Sequence, residues 1–188
     1  MRSKHLFITL DGVDGVGKTT VAKLLAADGA FQYYKSPSGP FTRFRPEIDA
    51  HATPLERYCF YRLAVQFDSA RIGRMLEQGS VVCDRYIAST VAYHMAMDDR
   101  ICDIHCNTGL LKPHFSFLLE TSSEKRDERI SKRMCQLCDA RFERNSSLMD
   151  DVAEAFLSFD LIRVDTNDRT AEEVLAFIKR ILAQGETA

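Results

Sequence analysis

The chain is 188 residues long, 45% hydrophobic and 28% charged, with a formal net charge of −2, which fits one soluble globular domain over residues 1–188 with a substantial core. The near-neutral balance gives no whole-molecule attraction to nucleic acid or to an anionic membrane, and no apolar run approaches the ~20 residues of a membrane span. The apolar stretch behind Arg2, Lys4 and His5 is too short for a signal peptide, so the expectation is a cytoplasmic protein whose six cysteines are mainly reduced thiols.

Strand and helix signals alternate along the chain, the pattern of an α/β fold with a mainly parallel sheet. Leu6 to Leu10 reads as a buried strand and Thr19 to Ala27 as a helix. Between them, Gly12-Val13-Asp14-Gly15-Val16-Gly17-Lys18-Thr19 is a complete G-x-x-x-x-G-K-[ST] phosphate-binding loop in the strand–loop–helix setting it requires. Its glycines let the backbone curl into a nest of N–H donors, which with Val13, Val16 and Thr20 would cradle phosphate groups. Lys18 would reach the β- and γ-phosphates, and the Thr19 hydroxyl would ligate Mg²⁺.

A short strand is expected at Phe31 to Tyr34. Lys35 to Pro54 holds Pro37, Pro40, Pro46, Pro54 and Gly39 and reads as a loop or broken element at the mouth of the site. Leu55 to Gln78 has helical spacing and Gly79 to end it. Ser80 to Cys83 is a strand closed by Asp84, placed outside a strand's carboxyl end, where it would hold Mg²⁺ opposite Thr19. Helix follows at Ile87 to Met97, strand at Phe115 to Leu119, and a charged helix at Ser123 to Met134. Further elements are a helix at Leu148 to Phe159, a last strand at Leu161 to Val164, and a final amphipathic helix capped by Thr170 with Glu173.

Cys102-x-x-His105-Cys106 and Cys135-x-x-Cys138 have a spacing open to two readings, a structural Zn²⁺ site or reduced thiols in loops. Cys59 and Cys83 read as core. Of the lone histidines His51, His94 and His114, only His94 follows a candidate substrate residue.

The opening Phe7-Ile8-Thr9-Leu10-Asp11-Gly12 with its phosphate loop, and the block Asp84-Arg85-Tyr86-Ile87-Ala88-Ser89-Thr90-Val91-Ala92-Tyr93, together resemble thymidylate kinase. The resemblance implies the P-loop NTPase three-layer α/β/α fold, with a five-stranded parallel sheet and a mobile lid near residues 133–147. It implies transfer of the γ-phosphoryl of ATP, with Mg²⁺, to a pyrimidine deoxynucleoside monophosphate, dTMP first, in a homodimer packed through the long helix. Carried over by position, Asp14 contacts the sugar 3′-hydroxyl, Asp84 is the Mg²⁺-linked acid, and Arg85 touches phosphate between donor and acceptor. Tyr93 packs against the sugar, Thr90 faces the base, Tyr61 or Phe60 stacks on it, and Lys35 takes the place of an arginine on the acceptor phosphate.

Some relatives carry a catalytic arginine inside the loop, where this chain has Gly15, so the resemblance assigns that work to lid arginines: Arg129, Arg133 and Arg141. Arg126, Arg129 and Arg133 are three, four and seven residues apart, along one side of a helix; paired with Glu124, Asp127 and Glu128 they would equally form a solvated face. Two departures concern the acceptor. The arginine that reads the base falls at Val65, with Gln66 beside it as a replacement, and the tyrosine of an R-Y-E element is Phe142. A different acceptor therefore stays open: a modified pyrimidine nucleotide, a deoxynucleoside or another small molecule. A nucleoside would require a general base, whereas Arg85 with Lys35 suits a phosphate. A non-catalytic GTP switch would want N-K-x-D, which Thr166-Asn167-Asp168-Arg169 is not.

Overall fold

The computed structural model describes residues 5–134 and 146–185. Five strands, β1 (Phe7–Asp11), β2 (Phe31–Lys35), β3 (Ser80–Asp84), β4 (Phe115–Glu120) and β5 (Ile162–Asp165), form one sheet in the order β2-β3-β1-β4-β5. Every pairing is parallel. Parallel strands need crossovers, and the connections supply α1 (Lys18–Ala27), α2 (Phe41–His51), α3 (Pro54–Met75), α4 (Ile87–Met95), α5 (Ile101–Ile104), α6 (Ser123–Met134) and α7 (Ser146–Phe156), with α8 (Ala171–Gly185) closing the chain.

All five residues of β1 are buried, as a central strand covered on both faces requires. Ile8 and Leu10 face a core shared with Leu25 of α1, Phe156 of α7 and Ile178 of α8. Phe7 points the other way and packs with Val81, Cys83 and the α3 residues Val65 and Ile72. This is the expected three-layer α/β/α architecture. Among the described residues, no helix is long and apolar enough to cross a membrane.

The proline-rich segment departs from the expected loop: residues 41–51 are the helix α2, with Pro46 inside it. None of its residues is buried, so water can take the carbonyl that Pro46 leaves without an N–H partner. Phe41 fixes α2 against α3 through ring contacts with Phe60 and Phe67. A capping box at Thr53 and Glu56 starts α3, which ends at Met75, three residues short of Gln78. The Thr170–Glu173 box before α8 forms as expected. Cys59 is exposed on α3, against the core expectation, because it lies on the outward side of that helix; Cys83 is buried. Cys102 and Cys106 are exposed free thiols, and no metal-binding group of His, Cys, Asp and Glu occurs among the described residues. Cys135 and Cys138 lie outside them.

Candidate active site

The ends of β1 and β3 are neighbours in the sheet, and each continues into a motif. After β1 the backbone turns through Gly12, Gly15 and Gly17, all at positive φ, into α1. The Lys18 ammonium is buried and donates to the Val13 carbonyl at 2.6 Å. Burial first, then the nearby Arg85 charge, push the Lys18 pKa down to about 7. An anionic phosphate in the loop would relieve both causes.

After β3 comes Arg85, a non-glycine residue at φ 70°. Such a backbone is strained and persists only where its surroundings hold it. Here the Arg85 N–H donates to Leu10 O at 3.0 Å, and the next N–H, from Tyr86, donates to Asp11 Oδ1 at 3.1 Å. Asp11 Oδ1 also accepts from Ser89 N at 3.1 Å and Ser89 Oγ at 2.6 Å, so a β1 carboxylate caps the first turn of α4. The strained turn sends the Arg85 guanidinium back over the phosphate loop, to Gly12 O at 3.2 Å, the Asp14 carboxylate and Tyr93 Oη at 3.3 Å. Tyr93 Oη in turn donates to Asp14 Oδ2 at 3.1 Å. Burial alone would raise the Asp14 pKa, but Arg85, Lys18 and the Tyr93 hydroxyl outweigh it and hold the carboxyl well below the usual range. Burial pushes the Tyr93 phenol up to about 12, so it stays a hydrogen-bond donor.

Thr19 Oγ1 donates to Asp84 Oδ2 at 2.5 Å. Tyr33 Oη reaches the same oxygen at 3.3 Å. Asp84 Oδ1 is buried with no hydrogen-bond partner among the described residues. A carboxylate oxygen left so, beside a hydroxyl at the end of a phosphate loop, is a hard-oxygen donor set that fits Mg²⁺.

Beside these groups lies a cavity of about 170 Å³, lined by Asp14, Lys35, Arg85, Thr90 and Tyr93 and also by Arg45, Asp49, Arg57, Tyr61, Val65 and His94. Asp49 gathers the cations: Arg45 Nε lies 3.4 Å and Arg57 Nη2 3.5 Å from its carboxylate, and Tyr61 Oη donates to it at 2.8 Å. The wall near Lys35 is the Ser36-Pro37 turn, tied from beneath by Asp68, fully buried in α3, which accepts from Tyr34 Oη at 2.7 Å and from Ser36 Oγ and Ser38 Oγ at 2.6 Å. His94 Nδ1 bonds the Thr90 carbonyl at 2.6 Å, and burial pushes the imidazole pKa down to about 4, so the ring is neutral.

Three expectations change. Gln66 turns away from the cavity: its amide donates to Gly109 O at 2.7 Å and accepts from Arg62, tying α3 to the following loop. The Arg129 guanidinium is engaged at the end of β5, donating to Thr166 Oγ1 at 3.0 Å and Thr166 O at 2.6 Å, and Thr166 Oγ1 in turn donates to Val16 O of the phosphate loop at 3.2 Å. Arg126 is no solvated residue of a helix face but is buried against Gly15. The side chain of Arg133, and Arg141 and Phe142 entirely, lie outside the described residues. Arg45, Asp49 and Arg57 carry no motif; the i,i+4 spacing of Arg45 and Asp49 is the only trace of them in the sequence.

Comparison with known proteins agrees with this geometry. The family model described as thymidylate kinase matches residues 10–178. A probable thymidylate kinase of Methanocaldococcus jannaschii is 30% identical over 192 aligned residues, covering 94% of this chain and 97% of that protein. The thymidylate kinase of Neorickettsia sennetsu is 28% identical, covering 97% and 98%. The solved thymidylate kinase of Candida albicans superposes with a TM-score of 0.80 at 20% identity, covering 97% of this chain and 92% of that one, which is a likeness of fold. A family match that runs through both motifs and nearly the full length means that the chain belongs to the thymidylate kinase family of nucleoside monophosphate kinases.

Proposed function

We propose that the chain transfers the γ-phosphoryl group of ATP to dTMP, giving ADP and dTDP. The observation that carries this reading is the cluster of Asp14, Arg85 and Tyr93, which joins the phosphate loop to the acceptor cavity through three mutual hydrogen bonds. A phosphate oxygen of dTMP forms a bond to the γ-phosphorus as the bond to the β,γ-bridging oxygen breaks, and the electron pair leaves with ADP. The acceptor oxygen is already anionic, so no general base is required, and positioning with positive charge does the catalysis.

Lys18 and the loop N–H groups hold the donor phosphates. Arg85 sits between donor and acceptor, fixed by Asp14. Lys35 and Arg45 on the cavity wall neutralise the acceptor phosphate. Asp14 accepts the sugar 3′-hydroxyl, and Tyr93 packs where a 2′-hydroxyl would stand. Tyr61 supplies an aromatic face and Thr90 a hydroxyl for the base. Thr19 and Asp84 would hold Mg²⁺, which when bound withdraws charge from the phosphate oxygens. The long helix α3 exposes Leu55 and Leu63, an apolar face for the homodimer of this reading.

A second acceptor is favoured by one observation: Val65, buried in the cavity wall, stands where an arginine would read the base. Coupled measurement of ADP release from MgATP with dTMP, dUMP, dCMP, UMP, dGMP, thymidine and 5-substituted deoxyuridylates tests both. A kcat/KM for dTMP above all others is the expected outcome; turnover of another acceptor with dTMP inert would replace it.

A further inference from the structure

A carboxylate stands in the cavity that has to take a phosphate. Asp49 lines that cavity beside Lys35, Arg45, Arg57 and Arg85, its side chain 14% exposed. Coulomb's law alone sets it against an anionic acceptor, because a like charge nearby weakens phosphate binding. The geometry of its bonds gives it another part.

Both oxygens meet donors, from two helices. On α2, Arg45 lies one turn before Asp49 and brings Nε to 3.4 Å from Oδ2. On α3, Arg57 and Tyr61 are one turn apart, and Oδ1 takes Arg57 Nη2 at 3.5 Å and Tyr61 Oη at 2.8 Å. Tyr61 closes a ring, since its Oη also accepts from Arg45 Nε at 2.9 Å. Burial pushes the Tyr61 phenol up to about 12, so it keeps the proton it donates to Asp49. Arg45 is thus gripped by Nε, the nitrogen nearest its stem, while Nη1 and Nη2 make no hydrogen bond among the described residues. Burial and the like charge of Arg85 work to lower the Arg45 pKa, and Tyr61 and Asp49 outweigh them. The Arg45 and Arg85 guanidiniums therefore feel each other from the walls of one cavity, a repulsion that an anion between them would relieve.

We propose that Asp49 is a positioning residue for the acceptor phosphate. It acts through Arg45: with Tyr61 it pins the Nε edge of the guanidinium, and the two terminal nitrogens are left as a fork for phosphate oxygens. The carboxylate itself touches no reacting atom. The inference rests on the phosphoryl-transfer reading above, and within it the order of the wall matters more than its net charge.

Asp49→Asn keeps the size of the side chain and removes its charge. Wild type, Asp49→Asn, Arg45→Ala and the double variant are compared in steady-state kinetics with dTMP and MgATP and in thermal midpoint. Charge alone predicts that Asp49→Asn lowers KM for dTMP; the positioning role predicts a rise of about tenfold, with KM for MgATP within about threefold of wild type. In the Arg45→Ala background the same substitution should change kcat/KM for dTMP by less than about twofold, because the residue it acts through is gone. The midpoint should move by less than about 3 °C, since α2 buries no residue and asparagine retains one acceptor oxygen. An unchanged or lowered KM for dTMP overturns the proposal. So does a loss that persists in full in the Arg45→Ala background, or one matched in KM for MgATP, either of which makes Asp49 a strut of the wall. Wild-type protein inactive on dTMP overturns the parent reading, and this one with it, and is told apart by that control.

Discussion

Asp68→Ala should unfasten the acceptor wall while leaving the phosphate loop intact. The carboxylate is fully buried and holds three hydroxyls, from Tyr34, Ser36 and Ser38, at 2.6–2.7 Å. A hydrogen bond to a charged group contributes roughly 1.5–3 kcal/mol, so three set an upper bound near 5–9 kcal/mol. The Tyr34–Ser38 hydrogen bond survives the substitution, and the freed hydroxyls can turn toward each other or toward water. The net loss should then be roughly 3–5 kcal/mol, the range for breaking a buried charged network. In a domain of this length each kcal/mol moves Tm by about 2–4 °C, so the midpoint should fall by roughly 10 °C. Ser36 and Pro37 line the acceptor cavity, whereas the donor loop is built on β1 and α1. Steady-state assays at 20 °C, below the lowered midpoint, should show KM for dTMP raised about tenfold or more and KM for MgATP changed by less than about threefold. A Tm loss under about 3 °C, or equal effects on both KM values, would refute the argument that Asp68 holds the acceptor wall.

Lys18 titrates near 7 in the folded chain and near 10.5 when unfolded, so above pH 7 the unfolded chain binds the extra proton. Stability of the nucleotide-free protein should therefore rise between pH 7 and 9, by up to about 1.4 kcal/mol per unit. Urea melts at pH 6.5, 7.5 and 8.5 should show this rise in wild type and its absence in Lys18→Met. His94 titrates near 4 folded against an ordinary 6.5, so it withdraws stability as pH falls from 6.5 toward 4. His94→Phe should flatten that acid limb in the same melts; an unchanged limb would show that the imidazole is not held neutral. Asp84→Asn should lower kcat by about 10²-fold or more and raise the Mg²⁺ concentration for half-maximal rate about tenfold, read by titrating Mg²⁺ at fixed ATP. An unaltered Mg²⁺ titration would remove Asp84 from the metal site.

The donor half of the site is legible in the sequence because its parts are contiguous. One stretch carries strand, loop and helix, and Asp84 follows an apolar strand whose position in the sheet is implied by the alternation of elements. The acceptor half is not contiguous and depends on how α2 lies on α3. Four prolines between residues 37 and 54 read as a loop, yet Pro40 stands at a helix start, where a missing N–H is harmless, and exposure lets Pro46 be tolerated. With α2 unseen, Arg45 and Asp49 could not be placed beside Arg57 and Tyr61. Gln66 and Arg129 fell on promising positions in register, but their rotamers serve other partners, a matter of packing that periodicity does not encode. The role of Asp11 was hidden for a different reason: a carboxylate at the end of a strand gives no local hint that it caps a helix 75 residues onward.

That single carboxylate has an evolutionary consequence. By joining the end of β1 to the first turn of α4, Asp11 makes the donor loop, Arg85 and Tyr93 one inherited block. The walls that judge the acceptor, on α2 and the first half of α3, form a second block that packs on the first through Tyr58, Tyr61 and Val65. Valine at position 65 takes a base-reading hydrogen bond from the wall while still filling the core against Phe7 and Tyr86. A change of acceptor is thereby open to substitutions that keep the core volume, with the transfer residues left in place.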